Sequence, residues 1–250
     1  MLNILKHYNY TLPNFKEGYD YESSKYGSTG INNKMEIKNI NNDKYLLTVN
    51  NDHWMMYELQ NHNQASQLFS HYYIAEGDVV VTGLGLAVRE NWLINKPSIK
   101  SIKVIERSSE LIEYHKNVNP QLLDKVEFIN CDAREYKGKC NSLLLDHYEF
   151  ENIYDIINDV KFICNNIECN NMWFWHLETL IIANLHNVPE HTLCHNFRNN
   201  KFVFDTRKLN NVKQTYENIK IFHGLNKLPE LDEYELMLFL SMYSNFFTKL

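Results

Sequence analysis

Residues 78–87 constrain the fold of this chain more than any other segment. Asp78 opens a short β-branched run that breaks at Gly83 into a turn with a second glycine, and a helix-compatible sequence follows. Such an apolar run is typical of a strand buried in a parallel sheet. Glycines at its carboxyl end let the backbone turn sharply and let a ligand approach, while the next helix directs N–H groups at that ligand. The pattern predicts a nucleotide-type site, although a plain strand-to-helix turn gives the same local pattern.

Three further apolar runs each lead to an acidic residue. Residues 102–105 precede Glu106, residues 126–130 precede Asp132, and residues 142–145 precede Asp146. Glu106 lies roughly 20 residues beyond the glycines, the usual distance of a ribose-binding acid. Open parallel sheets bind ligands at the carboxyl edge, where these three acids are expected to meet. Strand runs that alternate with helical segments predict right-handed βαβ units and an α/β fold.

The motifs resemble those of the class I S-adenosylmethionine-dependent methyltransferases, and most of all their spermidine-synthase-like branch. The resemblance is carried by residues 83–87, 104–106, 130–133 and 145–146, with support from residues 54–58, and it spans about residues 52–182. It implies a Rossmann-like class I methyltransferase fold, a mostly parallel twisted sheet with helices on both faces. A small N-terminal β-hairpin region is expected to precede that sheet.

The resemblance also implies S-adenosyl-L-methionine as cofactor. In such families the glycine loop backs the methionine part, the acid after the second strand holds the ribose hydroxyls, and the acid after the third lies by the adenine amine. The cofactor-binding residues expected on this basis are Thr82, Gly83, Leu84, Gly85, Glu106, Arg107, Asp132, Ala133 and Asp146. Two alternatives stay open: Glu106 as an acid at the start of the helix near Ser108, and Asp132 as a cap of the segment that follows it.

Asp146, His147 and Tyr148 follow the fourth strand, where the transferable group usually meets its acceptor. A carboxylate at this place can take a proton from the acceptor or orient it. These three residues are the catalytic candidates, and structural roles for them are equally compatible with the sequence. The function expected is a methyltransferase that acts on a small-molecule or undefined acceptor.

Departures from the family pattern keep other functions open. Ala87 replaces the usual third glycine, Val81 stands where an acid is common, and residues 146–150 lack the Asp-x-x-Asp-Pro pattern of aminopropyltransferases. An aminopropyltransferase using decarboxylated S-adenosylmethionine, and a non-catalytic nucleotide-binding protein of this fold, are the alternatives. An NAD-dependent oxidoreductase is disfavoured because Val88 occupies the position where Gly or Ala allows close helix–strand packing.

Charge and composition exclude some partners. The net charge of −6 gives no electrostatic footprint for nucleic acid or an anionic membrane. Residues 1–20 lack a signal-peptide pattern and the apolar stretch 236–247 is too short to span a bilayer, so a cytoplasmic location is expected. A homo-oligomer stays open. No metal site is expected, because the spacing fits no common zinc motif among the candidate ligands Cys164, Cys169, His191, Cys194 and His195.

The pattern along the chain divides it into three parts. Residues 1–75 are expected to form an irregular arm, a hairpin over residues 35–49 and a lead-in helix over residues 54–73. Residues 76–186 are expected to form the S-adenosylmethionine-binding domain, with a helix over residues 152–165 and a strand at residues 172–175. Residues 187–250 complete the same domain, with a possible strand at residues 220–222 and a helix over residues 233–247.

Overall fold

The computed structural model describes most of the chain, namely residues 2–11, 13–14, 19–23, 33–39, 44–49, 52–58, 63–148, 152–189 and 210–247. Its N-terminal part is a four-stranded antiparallel sheet with the strands in sequence order. The elements of this part are helix α1 (Leu2–His7) and strands β1 (Tyr19–Ser23), β2 (Asn33–Asn39), β3 (Lys44–Val49) and β4 (Asp52–Glu58). Two short helices, α2 (Asn63–Gln67) and α3 (Phe69–Ile74), lead into the second sheet.

The second sheet is parallel and forms a Rossmann-like α/β fold with helices packed on it. Its strands are β5 (Gly77–Thr82), β6 (Ile99–Glu106), β7 (Val126–Asn130), β8 (Gly138–Leu145) and β9 (Ile167–Phe174). They lie in the order β7-β6-β5-β8-β9. The inner strand β5 is buried over Val79–Thr82, as its β-branched run predicts. The predicted α/β class and parallel sheet are confirmed.

Helices connect and cover these strands. They are α4 (Val88–Leu93), α5 (Ser109–Val118), α6 (Ile153–Asn166), α7 (Leu177–His186), α8 (Val212–His223) and α9 (Glu233–Phe247). Ser108 caps α5 by accepting a hydrogen bond from the Leu111 N–H, and Asn152 caps α6 in the same way through the Tyr154 N–H. The predicted helices over residues 152–165 and 233–247 are confirmed within a residue or two at their ends.

The N-terminal hairpin is confirmed, but it is part of a larger sheet. Strands β2 and β3 pair with Ile37 opposite Leu47, as the alternating pattern predicts. The predicted lead-in helix over residues 54–73 is wrong at its start, because residues 54–58 belong to β4. Tyr57 pairs with Tyr45, and its side chain is buried with those of Ile37 and Leu47, so a period of two fits this segment. Residues 1–33 also include α1 and β1 and are not an arm without secondary structure.

The predicted strand at residues 220–222 is wrong, because these residues end helix α8. Val212, Tyr216 and Ile219 are buried at helical spacing, whereas Ile221 and Phe222 are 77% and 82% exposed. Helical periodicity over the longer segment therefore outweighs the local apolar pair. Among the described residues, no helix has the length and apolar character needed to cross a membrane.

Candidate functional site

The residues predicted as a site lie where the order of strands in the parallel sheet reverses, between β5 and β8. Strand β5 pairs with β6 on one side and with β8 on the other, and Thr82 is level with both Ile105 and Leu145. Gly83, Glu106 and Asp146 each follow one of these residues and therefore emerge at the same carboxyl edge. Such a switch point is the usual place of a ligand in an open α/β sheet.

The two glycines of the loop face protein atoms. Gly83 has φ of 77°, and a Cβ there would lie 2.2 Å from the main-chain oxygen of Asp146. Gly85 has φ of 52°, and a Cβ there would lie 2.5 Å from the Met55 Sδ of β4. Positive φ and close approach together require glycine at both positions. Gly83 allows β8 to leave the sheet beside β5, and Gly85 allows β4 to reach the loop.

The backbone N–H groups of four loop residues, Gly83, Leu84, Leu86 and Ala87, are bonded within the chain. The Gly83 N–H donates to the Ile105 oxygen, at a nitrogen–oxygen distance of 2.9 Å, and the Ala87 N–H donates to the Leu84 oxygen at the same distance. The Leu86 N–H donates to Met55 Sδ at 3.1 Å. On the acceptor side, His115 Nε2 lies 2.8 Å from the Gly85 oxygen. Burial lowers the pKa of His115 to about 4, so this histidine is a neutral donor at pH 7.

Glu106 ties the glycine loop to the start of α5. Its carboxylate accepts hydrogen bonds from the Leu84 N–H at 3.0 Å and from the Ser108 N–H at 2.7 Å. The side chain is 4% exposed. These contacts fit the alternative role of an acid at a helix start.

Asp132 lies at the same edge of the sheet, just beyond β7. Its Oδ1 accepts a hydrogen bond from the Arg134 N–H at 2.8 Å, and its main-chain oxygen accepts one from Glu135. These bonds close a turn that includes the buried Ala133, which matches the alternative capping role. The main-chain oxygen of Arg107 accepts a hydrogen bond from the Asn130 side chain at 2.9 Å, which links the ends of β6 and β7.

Arg89 lies buried beneath the loop and is a residue that the sequence analysis missed. Its guanidinium donates to the Gly83 oxygen at 2.7 Å and pairs with Glu90 at 3.0 Å. It also lies 3.5 Å from Asp146 Oδ2, and the arginine side chain is 4% exposed. Buried arginine is stable only when its donors are bonded and its charge is paired. The adjacent charged pair in a short apolar helix, residues 88–93, was the sequence signal that could have revealed it.

Asp146 lies beside Arg89 and is a partly exposed acid at the carboxyl edge of the sheet. Its side chain is 21% exposed. Burial raises the pKa of the carboxyl above its usual value, against the opposing effects of Arg89 and His147. The Asp146 N–H donates to the Thr82 oxygen at 3.2 Å, which continues the pairing of β5 and β8 beyond their ends. The structure therefore brings a perturbed carboxyl group to the switch point.

His147 connects Thr82 with Asp159, a second residue missed from sequence. His147 Nδ1 lies 2.6 Å from Thr82 Oγ1, and Nε2 lies 3.0 Å from Asp159 Oδ2. These partners fit the tautomer that donates from Nε2 to the carboxylate and accepts from the threonine hydroxyl at Nδ1. Burial opposes ionisation of Asp159, but the hydrogen bonds from His147 and Arg134 and the charge of Arg134 prevail and lower its pKa. The ring is thus held at both nitrogens.

Tyr148 brings an unpartnered hydroxyl to the same region. Its ring packs against the His147 ring with centroids 4.3 Å apart. Among the described residues, the buried Tyr148 hydroxyl has no hydrogen-bond partner. Burial raises the pKa of this phenol well above its usual value, so it is a neutral donor. A buried hydroxyl without a partner costs about 1–3 kcal/mol, which a polar ligand atom at this place could offset.

The cysteines and histidines weighed above as zinc ligands, for which no metal site was expected, are only partly within the described residues. No group of three or more His, Cys, Asp or Glu side chains in the described residues has the arrangement of a metal site. Cys164 and Cys169 are free thiols. His191, Cys194 and His195 lie outside the described residues.

Comparisons with known proteins give likenesses in structure only. No family model and no curated sequence matches the chain. A spermidine synthase from Thermotoga maritima is 12% identical with a TM-score of 0.47, and the match covers 63% of this chain and 55% of that one. A methyltransferase from Geobacter sulfurreducens is 17% identical with a TM-score of 0.35, and the match covers 53% and 66%. The overlap thus spans about half of the length of the spermidine synthase.

Proposed function

We propose that this protein is an S-adenosylmethionine-dependent methyltransferase that acts on a small-molecule acceptor. The observation that carries the proposal is the meeting of the glycine loop, Glu106 and Asp146 at the switch point of the parallel sheet. Glu106, at the end of β6, contacts the glycine loop, and Asp146 lies on the other side of β5, at the end of β8. The two acids together offer a cofactor subsite and an acceptor subsite side by side.

The charges at this edge favour a cationic ligand. The acids there outnumber the bases: Glu90, Glu106, Asp132, Asp146 and Asp159 stand against Arg89, Arg107 and Arg134. His115, which contacts the loop, adds no positive charge at pH 7. S-Adenosylmethionine supplies, when bound, a sulfonium that carries both the transferable methyl and the leaving group. An excess of carboxylates supports binding of this cation more than binding of a polyphosphate.

The hydrogen bonds of the loop argue against a dinucleotide. A pyrophosphate is normally held by free N–H groups of the glycine loop and of the helix that follows. In this chain the N–H groups of Gly83, Leu84, Leu86 and Ala87 already have acceptors within the protein. A pyrophosphate would have to break those bonds, so the NAD-dependent oxidoreductase is the weaker reading.

Within the proposed site the ribose hydroxyls would bond to Glu106, and the adenine amine would lie near Asp132. The glycine loop from Thr82 to Gly85 would back the methionine part of the cofactor. Glu106 would then serve two purposes, because the same carboxylate fixes Leu84 and Ser108 and accepts from the ribose. Burial strengthens such charge-assisted bonds by excluding water from them.

On the acceptor side, Asp146 would orient the acceptor or take its proton, and the Tyr148 hydroxyl would donate a hydrogen bond to it. That the described residues offer this hydroxyl no hydrogen-bond partner supports the role. His147 would act as a positioning residue rather than a base, because both of its ring nitrogens already bond within the protein. Proximity and alignment would then account for most of the rate enhancement.

A second candidate is a nucleotide-binding protein of the same fold without catalysis. The intrachain contacts of both loop glycines favour it, since a protein that no longer transfers a group can keep a closed loop. An aminopropyltransferase that uses the decarboxylated cofactor is a third candidate, and the absence of the Asp-x-x-Asp-Pro pattern at residues 146–150 counts against it.

A thermal-shift panel separates these functions. The ligands are S-adenosylmethionine, S-adenosylhomocysteine, decarboxylated S-adenosylmethionine, 5′-methylthioadenosine and NAD. We expect S-adenosylmethionine and S-adenosylhomocysteine to stabilise the protein, by about 2.7 kcal/mol at 100 times the dissociation constant. Stabilisation by NAD alone would overturn the proposal. Preference for the decarboxylated cofactor would replace it with aminopropyl transfer.

A further inference from the structure

The side chain of Met55 lies against Gly85 of the glycine loop. Its Sδ lies 2.5 Å from where a Cβ on Gly85 would be, and its terminal methyl lies 3.6 Å from that point. The same sulfur accepts the hydrogen bond from the Leu86 N–H. The space that Gly85 leaves by lacking a side chain is therefore filled by a thioether from the N-terminal sheet.

The register of the antiparallel sheet sets the direction of Met55. Leu47 pairs with Met55, but the next residue of β3, Thr48, pairs with His53, so Trp54 is an extra residue in β4. A β-bulge of this kind bends a strand and redirects its side chains, and bulges are common beside functional sites. Met55 shares the inner face of the sheet with Leu47 and Tyr57, which are both buried. Its place at the loop follows from the register of the strand pair.

The contact can be exchanged for a ligand at low cost. A thioether sulfur is a weak acceptor, so the Leu86 N–H gains little from it compared with an oxygen acceptor. Methionine has three rotatable side-chain bonds, so its sulfur can leave the loop while β4 keeps its hydrogen bonds. The side chain is only partly buried, which leaves it room to move toward solvent.

We propose that Met55 is an internal occupant of the glycine loop, which closes the loop in the ligand-free protein and must swing away when the cofactor binds. This inference rests on the proposed function, in which the loop receives the methionine part of S-adenosylmethionine. The thioether of Met55 then takes the place of the ligand's own sulfur-containing chain. Apparent affinity for the cofactor is reduced by the fraction of molecules in which Met55 covers the loop.

The test compares three proteins by calorimetry: wild type, Met55→Ala and Met56→Ala. Met56 is the neighbouring residue of β4, and its side chain lies on the opposite face, so it is the matched control. The titrants are S-adenosylhomocysteine and 5′-methylthioadenosine, which share the nucleoside but differ in the amino-acid chain. We expect Met55→Ala to bind S-adenosylhomocysteine about tenfold more tightly than wild type, with little gain for 5′-methylthioadenosine and none in Met56→Ala.

The outcomes separate this inference from the proposed function. Equal or weaker binding of S-adenosylhomocysteine by Met55→Ala, with binding by wild type, overturns the inference and leaves the proposed function in place. Binding by neither protein overturns the proposed function, and the inference falls with it.

A second measurement uses the wild-type protein, so it does not depend on the folding of a variant. The methionine methyls are labelled with ¹³C, and the nuclear Overhauser contact between the Met55 methyl and the Leu86 amide proton is followed. We expect this contact to be lost at saturating S-adenosylhomocysteine. Its persistence in the complex would contradict the displacement of Met55.

Discussion

The loops that leave β5 and β8 lie side by side but differ in what their polar groups do. After β5, the N–H groups of Gly83, Leu84, Leu86 and Ala87 bond within the chain, and an added Cβ at either glycine would meet protein atoms. After β8, Asp146 is partly exposed with a raised pKa and the Tyr148 hydroxyl is unpartnered among the described residues. Most backbone donors of the first loop are thus bonded within the protein. The second loop holds a carboxyl group with a raised pKa and a hydroxyl that the described residues leave without a partner. We infer that the exit of β5 supports the cofactor and that the exit of β8 provides the chemistry.

The largest effect is expected for Asp146→Asn. The amide keeps the shape but loses the charge and the capacity to accept a proton, so transfer of labelled methyl to an acceptor should fall by about 10²–10⁴-fold if Asp146 is a general base. Affinity for S-adenosylhomocysteine should stay nearly the same. Because burial raises the pKa of Asp146, wild-type turnover should decline with falling pH at a value above the usual aspartate range.

Asp78→Asn is the control, since Asp78 is an exposed acid at the opposite end of β5. It should leave turnover unchanged. If Asp146→Asn loses cofactor binding and stability together, Asp146 has a structural role, and the division between the two loops is wrong.

Gly83→Ala should destabilise the fold more than a positive φ alone explains. The methyl would meet the Asp146 oxygen at 2.2 Å, so strain and overpacking together should cost about 2–5 kcal/mol of unfolding free energy in urea. Gly224→Ala is the matched control. Gly224 has φ of 65° with no atom within 4 Å of the added Cβ, so about 1–2 kcal/mol is expected there. Equal losses would show that the loop and β8 are not in tight contact.

Glu106→Ala should weaken the binding of S-adenosylhomocysteine more than the substitution of any other single acidic residue. Bonds from a carboxylate to ribose hydroxyls are each worth about 1.5–3 kcal/mol, so calorimetry should show an affinity loss of at least about tenfold. The variant also loses the bonds to Leu84 and Ser108. Ser108→Ala is the control for a loosened start of α5, because it removes the side-chain cap that accepts from the Leu111 N–H, at about 0.5–2 kcal/mol of stability, with no ribose contact. Unchanged affinity in Glu106→Ala would leave Glu106 with its structural role alone.

Tyr148→Phe is expected to change the stability of the protein least, and to raise it where the other substitutions lower it. Removal of an unpartnered buried hydroxyl should stabilise the fold by about 1 kcal/mol in urea denaturation. Acceptor turnover should fall in the same variant. A loss of stability would mean that the hydroxyl already has a hydrogen-bond partner. The polar groups after β8 would then be paired within the protein, like those after β5.

The sequence predicted the strand ends that form the site better than it predicted the side chains that pair around them. The acids at positions 106, 132 and 146 were placed at one edge because strand ends follow from apolar runs. Arg89 and Asp159 were missed because their pairing depends on which strands are neighbours, and that order is not a local property. Met55 was assigned to a helix, since the alternation of β4 spans few residues and is interrupted by a bulge.

The roles of the predicted residues were harder to predict than their positions. Glu106 and Asp132 each meet backbone N–H groups, as the structural alternatives expected, and the cofactor roles remain predictions. The helix over residues 212–223 was predicted in part as a strand because Ile221 and Phe222 are apolar yet exposed. Local hydrophobicity does not reveal which apolar residues a tertiary structure leaves at the surface.

The most direct test of the account is a crystal structure of the protein with S-adenosylhomocysteine. We expect the ligand to lie along the carboxyl edge, with its ribose at Glu106 and its amino-acid chain against Gly85. A cavity of about 280 Å³ at the amino ends of β6 and β7, lined in part by Ile99 and Asp124, offers an internal comparison. Ligand in that cavity, or a carboxyl edge left unchanged at saturating ligand, would contradict the assignment of the site.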